Sequence, residues 1–590
     1  MNVRARKGGM TYRVRWSRPV HCAILLIVHA ELLLHPTRAG EWDWRFSFYP
    51  QYEAVRRTVL QYGEFPWWNP WMRGGMPLFA DPEIAVVSPD TLLVLGLGVV
   101  PGLKAALLLY AIIGYEGVRA LLRHLFRDAR TRGGPAAEAL VAWFAIVPAL
   151  VPALAGCLVV GYYSFVAFHL FPWLLLLALT WIRGRARATA LGAVAGCLML
   201  TYLHYMAIMA LTIAGAAAMV ALVRHARRLR TWGLAALAVT TAGALALTRV
   251  AVSVQWLTAQ SRPDLSRPMA LRIDTALASL IWPFRPPRVS DIVVESAGLG
   301  WPEVGCYVGV FALLAAVLGL RRAGRWTLRW WHALVPVLLV LAWNNRDPWL
   351  PAHWLGRVPP WSYMLVPTRW RLFAALFLLV AAVGGLLSLH AGGRRRAAWV
   401  LGLVIVIDLG VQIGFAWHGR VRVAPPPVVA APDPPITVRS AAHDFWAALR
   451  RNEVCLNAPV PVMAFDPETA RVARSDPGYR GEIHGEHPGD PPAVAGWSPN
   501  GWRIEGQPGD RVTVNVNPGN YWTADGVARW GRLDPVEPMG VLRVALPTQG
   551  TVVLRARPPG LWLLMALQVA CALMAIVPAL TVGRERSGPA

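Results

Sequence analysis

The chain has 590 residues, of which 55% are hydrophobic and only 15% charged, against about a quarter charged in soluble domains. Its formal net charge of +25 is almost wholly arginine, since Lys7 and Lys104 are the only lysines. The arginines cluster in short loops between apolar runs, which is the positive-inside pattern of a polytopic membrane protein rather than a nucleic-acid-binding surface.

Arg4, Arg6, Lys7, Arg13, Arg15 and Arg18 precede a first apolar run at about 20–35, which places the N-terminus in the cytoplasm. No small-x-small cleavage site follows Leu34, so this run reads as an uncleaved helix. Further spans are expected near 103–122, 137–158, 165–182, 188–203, 206–223, 232–250, 303–320, 330–345, 371–390, 398–417 and 561–580. That is about twelve crossings, with every arginine cluster on one side. The division at His204 is the least sharp, because 188–223 is one apolar stretch.

The other side then carries four large pieces: the first external loop within 36–100, loops at 251–302 and 346–369, and a region at 421–560. A stiff proline-rich linker, Ala424-Pro425-Pro426-Pro427 through Pro434-Pro435, enters the last of these. Period-two alternation in 511–516, 541–546 and 551–555 predicts a small antiparallel β-sandwich there. The expected architecture is thus a transmembrane domain over 1–420, an extracytoplasmic β domain over 421–560, and a final helix with a cytoplasmic tail over 561–590. The six cysteines are scattered, with only Cys455 in the β region, and form neither a CxxC pair nor a disulfide framework.

Gly40 to Pro89 is too polar and too broken by Pro and Gly to span a membrane, yet it is crowded with aromatics. That composition predicts a surface lying at the lipid–water interface. Asp43 sits between Trp42 and Trp44 just beyond the first span, where a carboxylate beside lipid is a candidate general base. A structural carboxylate that pairs with Arg45 or caps a short helix is the alternative. Asp81-Pro82-Glu83 offers two more carboxylates, either a second acid or divalent-cation site or a solvated Asp-Pro turn. Glu53, Arg56 and Arg57 read as a solvated helix face.

Trp42-Asp43-Trp44, Phe48-Tyr49-Pro50-Gln51, Gly63-Glu64-Phe65-Pro66-Trp67-Trp68-Asn69-Pro70, Gly74-Gly75-Met76-Pro77-Leu78 and Ser88-Pro89 together resemble the GT-C glycosyltransferases, most closely their bacterial YfhO-like branch. Glu303-Val-Gly-Cys-Tyr307-Val-Gly309, Val366-Pro367-Thr368-Arg369-Trp370-Arg371 and the aromatic turns near Trp497 and Trp522 resemble the same pattern. The resemblance implies an inverting enzyme of the bacterial inner membrane. It would move a sugar from a polyprenyl-phosphate donor to an envelope glycan, lipid or protein acceptor, with membrane lipids as its other partners. Asp43 would be the catalytic base, and Asp81, Glu83, Glu303, Arg369 and Arg371 would contact substrate. The two arginines can stabilise a leaving phosphate or snorkel to headgroups; Glu303 can contact substrate or simply favour a helix N-terminus.

No metal ligand set is expected, a divalent cation being the only cofactor this chemistry leaves room for. His484-Gly-Glu486-His487 lacks the spacing of a known metal motif. Asp408, His204 and Glu31 are isolated polar groups in apolar surroundings with no assigned role. A flippase for lipid-linked glycans and a non-catalytic envelope-assembly factor are the rival readings. The first would more naturally show paired intramembrane charges or symmetric halves.

Overall fold

The computed structural model describes residues 5–41, 43–72, 74–259, 278–282, 305–322, 330–343, 349–363, 366–428, 434–438, 445–456, 474–476, 479–485, 492–516, 521–525 and 542–585. Trp42, Glu303, Glu486 and His487 lie outside this set, as do most of 251–302 beyond Ala259 and residues 517–520.

The bundle opens with α1 (Ala5–Val28) and α2 (Ala30–Leu34), broken at His29. The first external loop holds β1 (Ala39–Gly40), a π-helical turn Trp44–Phe48, α3 (Tyr49–Tyr62), the hairpin β2 (Trp68–Asn69) and β3 (Met76–Pro77), and α4 (Pro89–Leu97). Ser88 caps α4 by accepting the Thr91 amide at 3.2 Å, with Pro89 at the first turn where its missing N–H costs nothing. Then follow α5 (Val99–Leu125), α6 (Arg127–Phe144), α7 (Pro152–Val159), α8 (Phe171–Ala178), α9 (Arg185–Thr201), α10 (Tyr205–His225) and α11 (Leu229–Ala259). Pro148, Pro152 and Pro172 fall where 137–182 breaks into short helices and 3₁₀ turns, because proline cannot supply an interior amide. The stretch 188–223 divides at Tyr202–His204.

After α12 (Val310–Arg322), α13 (Trp330–Trp343) and α14 (Pro351–Leu355) come α15 (Arg371–Ala391) and α16 (Arg395–Trp417). Helix α15 is the axis of the bundle, buried on nearly every side. Close approach is bought with small residues: a Cβ on Gly385 would lie 1.8 Å from the Ala315 carbonyl oxygen. Among the described residues six helices are long and apolar enough to cross a membrane: 99–125, 133–159, 205–225, 229–258, 368–391 and 395–417. Shorter apolar helices lie at 16–28, 163–178, 310–319, 333–342 and 561–576. Leu403, Ile407, Val411 and Phe415 on α16, and Leu563, Leu567 and Leu573 on the last helix, point outward. A continuous outward apolar face suits acyl chains, not water. The chain is a multi-pass membrane protein.

Beyond β4 (Val421–Val423), which pairs with β1, β5 (Ile436–Val438) runs parallel to β6 (Glu453–Cys455), with α17 (Phe445–Arg450) between them. Two antiparallel sheets follow. One has the order β12 (Leu542–Ala545), β10 (Arg511–Val514), β7 (Ile483–Gly485); the other β11 (Trp522–Asp525), β13 (Thr551–Ala556), β9 (Gly501–Glu505), β8 (Ala493–Ser498). Leu542 and Val544, and Val552, Leu554 and Ala556, are the buried alternates that the period-two pattern predicts. Helix α18 (Leu561–Glu585) closes the chain against α11.

The first loop departs from the interfacial surface expected of it. Trp44, Phe48, Tyr49, Tyr52, Trp68, Trp71 and Met76 are all buried, because the loop is covered by segments some 400 residues later. Tyr49 stacks on Trp446 at 4.9 Å, Trp71 donates to the Asn452 side chain at 2.7 Å, and Asn500, in the β8–β9 turn, bonds Glu64 and the Phe65 carbonyl at 2.8 Å each. The solvated helix face expected at Glu53, Arg56 and Arg57 is corrected for the same reason. Glu53 pairs with Arg450 at 3.2 Å, and Arg57 donates to the Leu449 carbonyl at 2.9 Å, both within the buried seam.

Candidate active site

Asp43 is placed by two hydrogen bonds to the end of α7. Its amide donates to the Val160 carbonyl at 3.2 Å, and the neighbouring Trp44 indole donates to the Leu158 carbonyl at 2.7 Å. Gly161 makes this docking feasible: its φ is +102°, and a Cβ there would stand 2.3 Å from the Trp44 amide nitrogen. Asp43 therefore sits half-buried at the start of the π-helical turn, held against the α7 end of the bundle.

Asp81 and Glu83 are not on a solvated turn; they are 4% and 5% exposed. The Asp81 carboxylate accepts the Glu83 amide at 2.9 Å, an Asx turn that fixes both acids. Arg249, from the second half of α11, reaches into this turn and donates to the carbonyls of Asp81 and of Ile84, the latter at 2.8 Å, while lying over the Phe79 ring at 5.2 Å. Its Nε and Nη1 are buried and meet no hydrogen-bond partner among the described residues.

His204, at the break between α9 and α10, faces Glu83. Its Nδ1 lies 3.2 Å from Ser164 Oγ, and its Nε2 lies 3.0 Å from Glu83 Oε1, off the hydrogen-bond direction. The break is fixed two residues earlier by Tyr202, which donates to the buried Asp90 carboxylate and meets the Tyr52 hydroxyl at 3.0 Å. This links α3 and α4 of the first loop to the bundle.

Arg369 completes the group from the 3₁₀ turn that leads into α15. Its guanidinium lies over the rings of Tyr205, Phe165 and Tyr162 at 4.1, 4.9 and 5.2 Å. Such a box orients the plane of the cation and strips its hydration. Arg371 is turned elsewhere: it donates to the Gly305 carbonyl at 2.6 Å and the Thr368 carbonyl at 3.1 Å, tying the 305–309 segment to the head of α15. Asp408, on α16, accepts the Tyr307 hydroxyl at 2.7 Å in that same neighbourhood.

The charges act on one another. Burial first, then the Asp81 and Asp43 charges, push Glu83 well above the usual carboxylate range, with Arg369 opposing them. Burial likewise raises Asp81 to about 6, against its hydrogen bond from the Glu83 amide and the charge of Arg249. Burial and the Arg369 charge hold His204 well below its ordinary value, so the imidazole is neutral. The site thus gathers acids whose environments differ, half-buried Asp43 beside buried Asp81 and Glu83. Among the described residues no group of three or more His, Cys, Asp or Glu is arranged to hold a metal ion.

Of the residues singled out from the sequence, Asp43, Asp81, Glu83 and Arg369 converge, Arg371 lies against backbone carbonyls, and Glu303 is outside the described residues. His204 was noted only as an isolated polar group with no role, and Arg249 was not singled out. Both carried a signal: a polar residue at an internal break of an apolar stretch, and an arginine inside an apolar helix far from the basic loops.

No protein-family model matches the chain, and no curated protein does. Solved structures to which the chain shows some similarity include an oligosaccharyltransferase from Archaeoglobus fulgidus, at 12% identity over 75% of this chain and 62% of that one, with a TM-score of 0.38. Arabinofuranosyltransferase AftD from Mycobacteria is 17% identical over 68% of this chain and 28% of that one, with a TM-score of 0.34. ArnT from Cupriavidus metallidurans, solved with undecaprenyl phosphate, is 13% identical over 74% and 84%, with a TM-score of 0.37. The chain therefore spans less than two thirds of the length of the first two.

Proposed function

We propose that this chain is an inverting GT-C-type glycosyltransferase that takes one sugar from a polyprenyl-phosphate donor and passes it to an envelope acceptor. The observation that carries the reading is the convergence of Asp43, Asp81, Glu83, His204, Arg249 and Arg369 where the first loop meets the apolar bundle. A lipid-anchored phosphate arrives at that boundary from the bilayer, and a hydrophilic acceptor arrives from the aqueous side.

In this reading Asp43 removes the acceptor hydroxyl proton. The acceptor oxygen attacks the anomeric carbon, the C–O bond to phosphate breaks, and the polyprenyl phosphate leaves with the electron pair. One displacement from the opposite face inverts the anomeric centre. Arg369, oriented by its aromatic box, meets the charge developing on the leaving phosphate, and Arg249 adds a second guanidinium from the far side of the Asp81 turn. Glu83, kept protonated by burial and by Asp81 and Asp43, is a hydrogen-bond donor beside the base instead of a repelling charge. Arg371 acts as a positioning residue for the Gly305 segment, and Glu303, outside the described residues, is kept as a proposed substrate contact.

The arginine clusters support an orientation with both termini and the basic loops in the cytoplasm, about twelve crossings, and the 421–560 β domain outside. The test is a lipid and glycan inventory, by mass spectrometry, of cells with and without the gene. The reading predicts one envelope glycan missing and its polyprenyl-phosphate sugar accumulating in the deletion. A lipid-linked sugar pool that is unchanged while the glycan is lost would contradict transfer.

A further inference from the structure

At the end of α5 remote from the acidic site the bundle opens into a second cavity of about 710 Å³. Helix α5 is 27 residues long, so this cavity lies roughly 40 Å from the first loop at 1.5 Å per residue. Its rim carries Arg123, His124, Arg127, Arg130, Arg183 and Arg187, contributed by α5, α6, the 3₁₀ turn after α8, and α9. Its floor is apolar, formed by Ala120, Leu176 and Leu177.

Positive-inside loops need arginines, but they do not need them gathered around one hollow. Here a single carboxylate, Glu138, bridges Arg130 and Arg123, the latter at 3.6 Å, and Arg130 also donates to the Arg123 carbonyl at 3.0 Å. That arrangement fixes two guanidiniums at the wall. Arg127, Arg183 and Arg187 are exposed and make no side-chain ion pair among the described residues. Five arginines against one glutamate leave a strong excess of positive charge over an apolar floor. A ligand matching both must be an amphiphile with a multiply charged anionic head, because guanidinium forks suit phosphate oxygens and the floor suits the first methylenes of a chain.

We propose that this cavity binds the headgroup of an anionic phospholipid carrying two phosphate charges. It is separate from the acidic site and would engage the leaflet on the basic side of the bundle.

The test uses the full chain in nanodiscs of phosphatidylcholine with or without cardiolipin, followed by detergent transfer and native mass spectrometry of retained lipid. Three proteins are compared: wild type, Arg183→Gln/Arg187→Gln, and a control, Arg227→Gln/Arg228→Gln, which removes two exposed arginines from another loop. Wild type and control are expected to retain cardiolipin, and the cavity variant to bind it about tenfold more weakly. Equal loss in the cavity variant and the control, or no loss in either, overturns the proposal. A parallel titration with inorganic pyrophosphate separates the sources: binding of pyrophosphate that depends on Arg183 and Arg187, with no lipid retained, overturns the lipid assignment in favour of a soluble phosphate. Because both substitutions lie outside the acidic site, sugar transfer persists in the cavity variant even where lipid retention fails.

Discussion

Arg369 is the residue at which the proposed chemistry and the packing can be separated. The residue is 7% exposed, and its guanidinium faces three rings between 4.1 and 5.2 Å. Cation–π contacts are worth roughly 0.5–2 kcal/mol each, the upper end when desolvated, so losing three in Arg369→Ala should lower stability by about 1.5–6 kcal/mol. Loss of a preorganised donor to a developing anion costs about 10²–10³ in turnover, or roughly 3–4 kcal/mol of barrier. Arg369→Lys keeps the charge but gives up the planar fork and the stack, so it should fall between, at about a tenfold loss. The assay is single-turnover release of polyprenyl phosphate in nanodiscs, using the donor found to accumulate in deletion cells, with thermal unfolding followed on the same samples. A loss of stability without loss of turnover in Arg369→Ala would refute the leaving-group role and leave Arg369 as a packing residue.

Glu83 and Asp81 give a pH signature. Both are raised in the fold, so the folded chain keeps protons that the unfolded chain releases near pH 4, and stability falls as pH rises, through about 6 for Asp81 and on through the raised range of Glu83. Glu83→Gln should flatten that decline above pH 6, seen as a smaller fall in thermal midpoint between pH 6 and 8; an unchanged slope would mean that Glu83 is not a buried protonated acid. Gly161→Ala forces a side chain into a left-handed φ with its methyl 2.3 Å from the Trp44 amide, and should cost about 1–3 kcal/mol along with most of the turnover. Gly156→Ala, which meets nothing within 4 Å, is the matched control, and equal behaviour of the two in melting and turnover would argue against Asp43 being positioned through Gly161.

How much of this was legible in the sequence depends on the distance over which each feature is decided. The strands β10, β12 and β13 are local, and the period-two alternation of residue types in their sequence announced them; burial follows that alternation in β12 and β13, while β10 is buried from Val512 to Val514. Asp43 and the Asp81–Glu83 pair stood out because the first loop is dense in motif. The burial of that loop could not be read, because Trp446, Asn452 and Asn500, which cover it, arrive some 400 residues later. Glu53 and Arg57 have the spacing of a solvated helix face, and only the later Arg450 and Leu449 make them a buried seam. His204 and Arg249 were single polar residues among apolar ones; what gives them meaning is Glu83 and the Asp81 turn, more than a hundred residues away in the chain. Arg369 and Arg371 looked equivalent two residues apart, yet the turn into α15 sends one to an aromatic box and the other to backbone carbonyls.

The central claim is that Asp43 is the base. The most direct measurement returns wild type or Asp43→Asn to deletion cells at equal membrane levels, then quantifies the polyprenyl-phosphate sugar and the envelope glycan. The amide is isosteric with the carboxylate but cannot take a proton, so the glycan should be lost and the undischarged donor should accumulate as in the empty-vector cells. Normal glycan in the Asp43→Asn cells would contradict the mechanism and turn attention to transport or assembly.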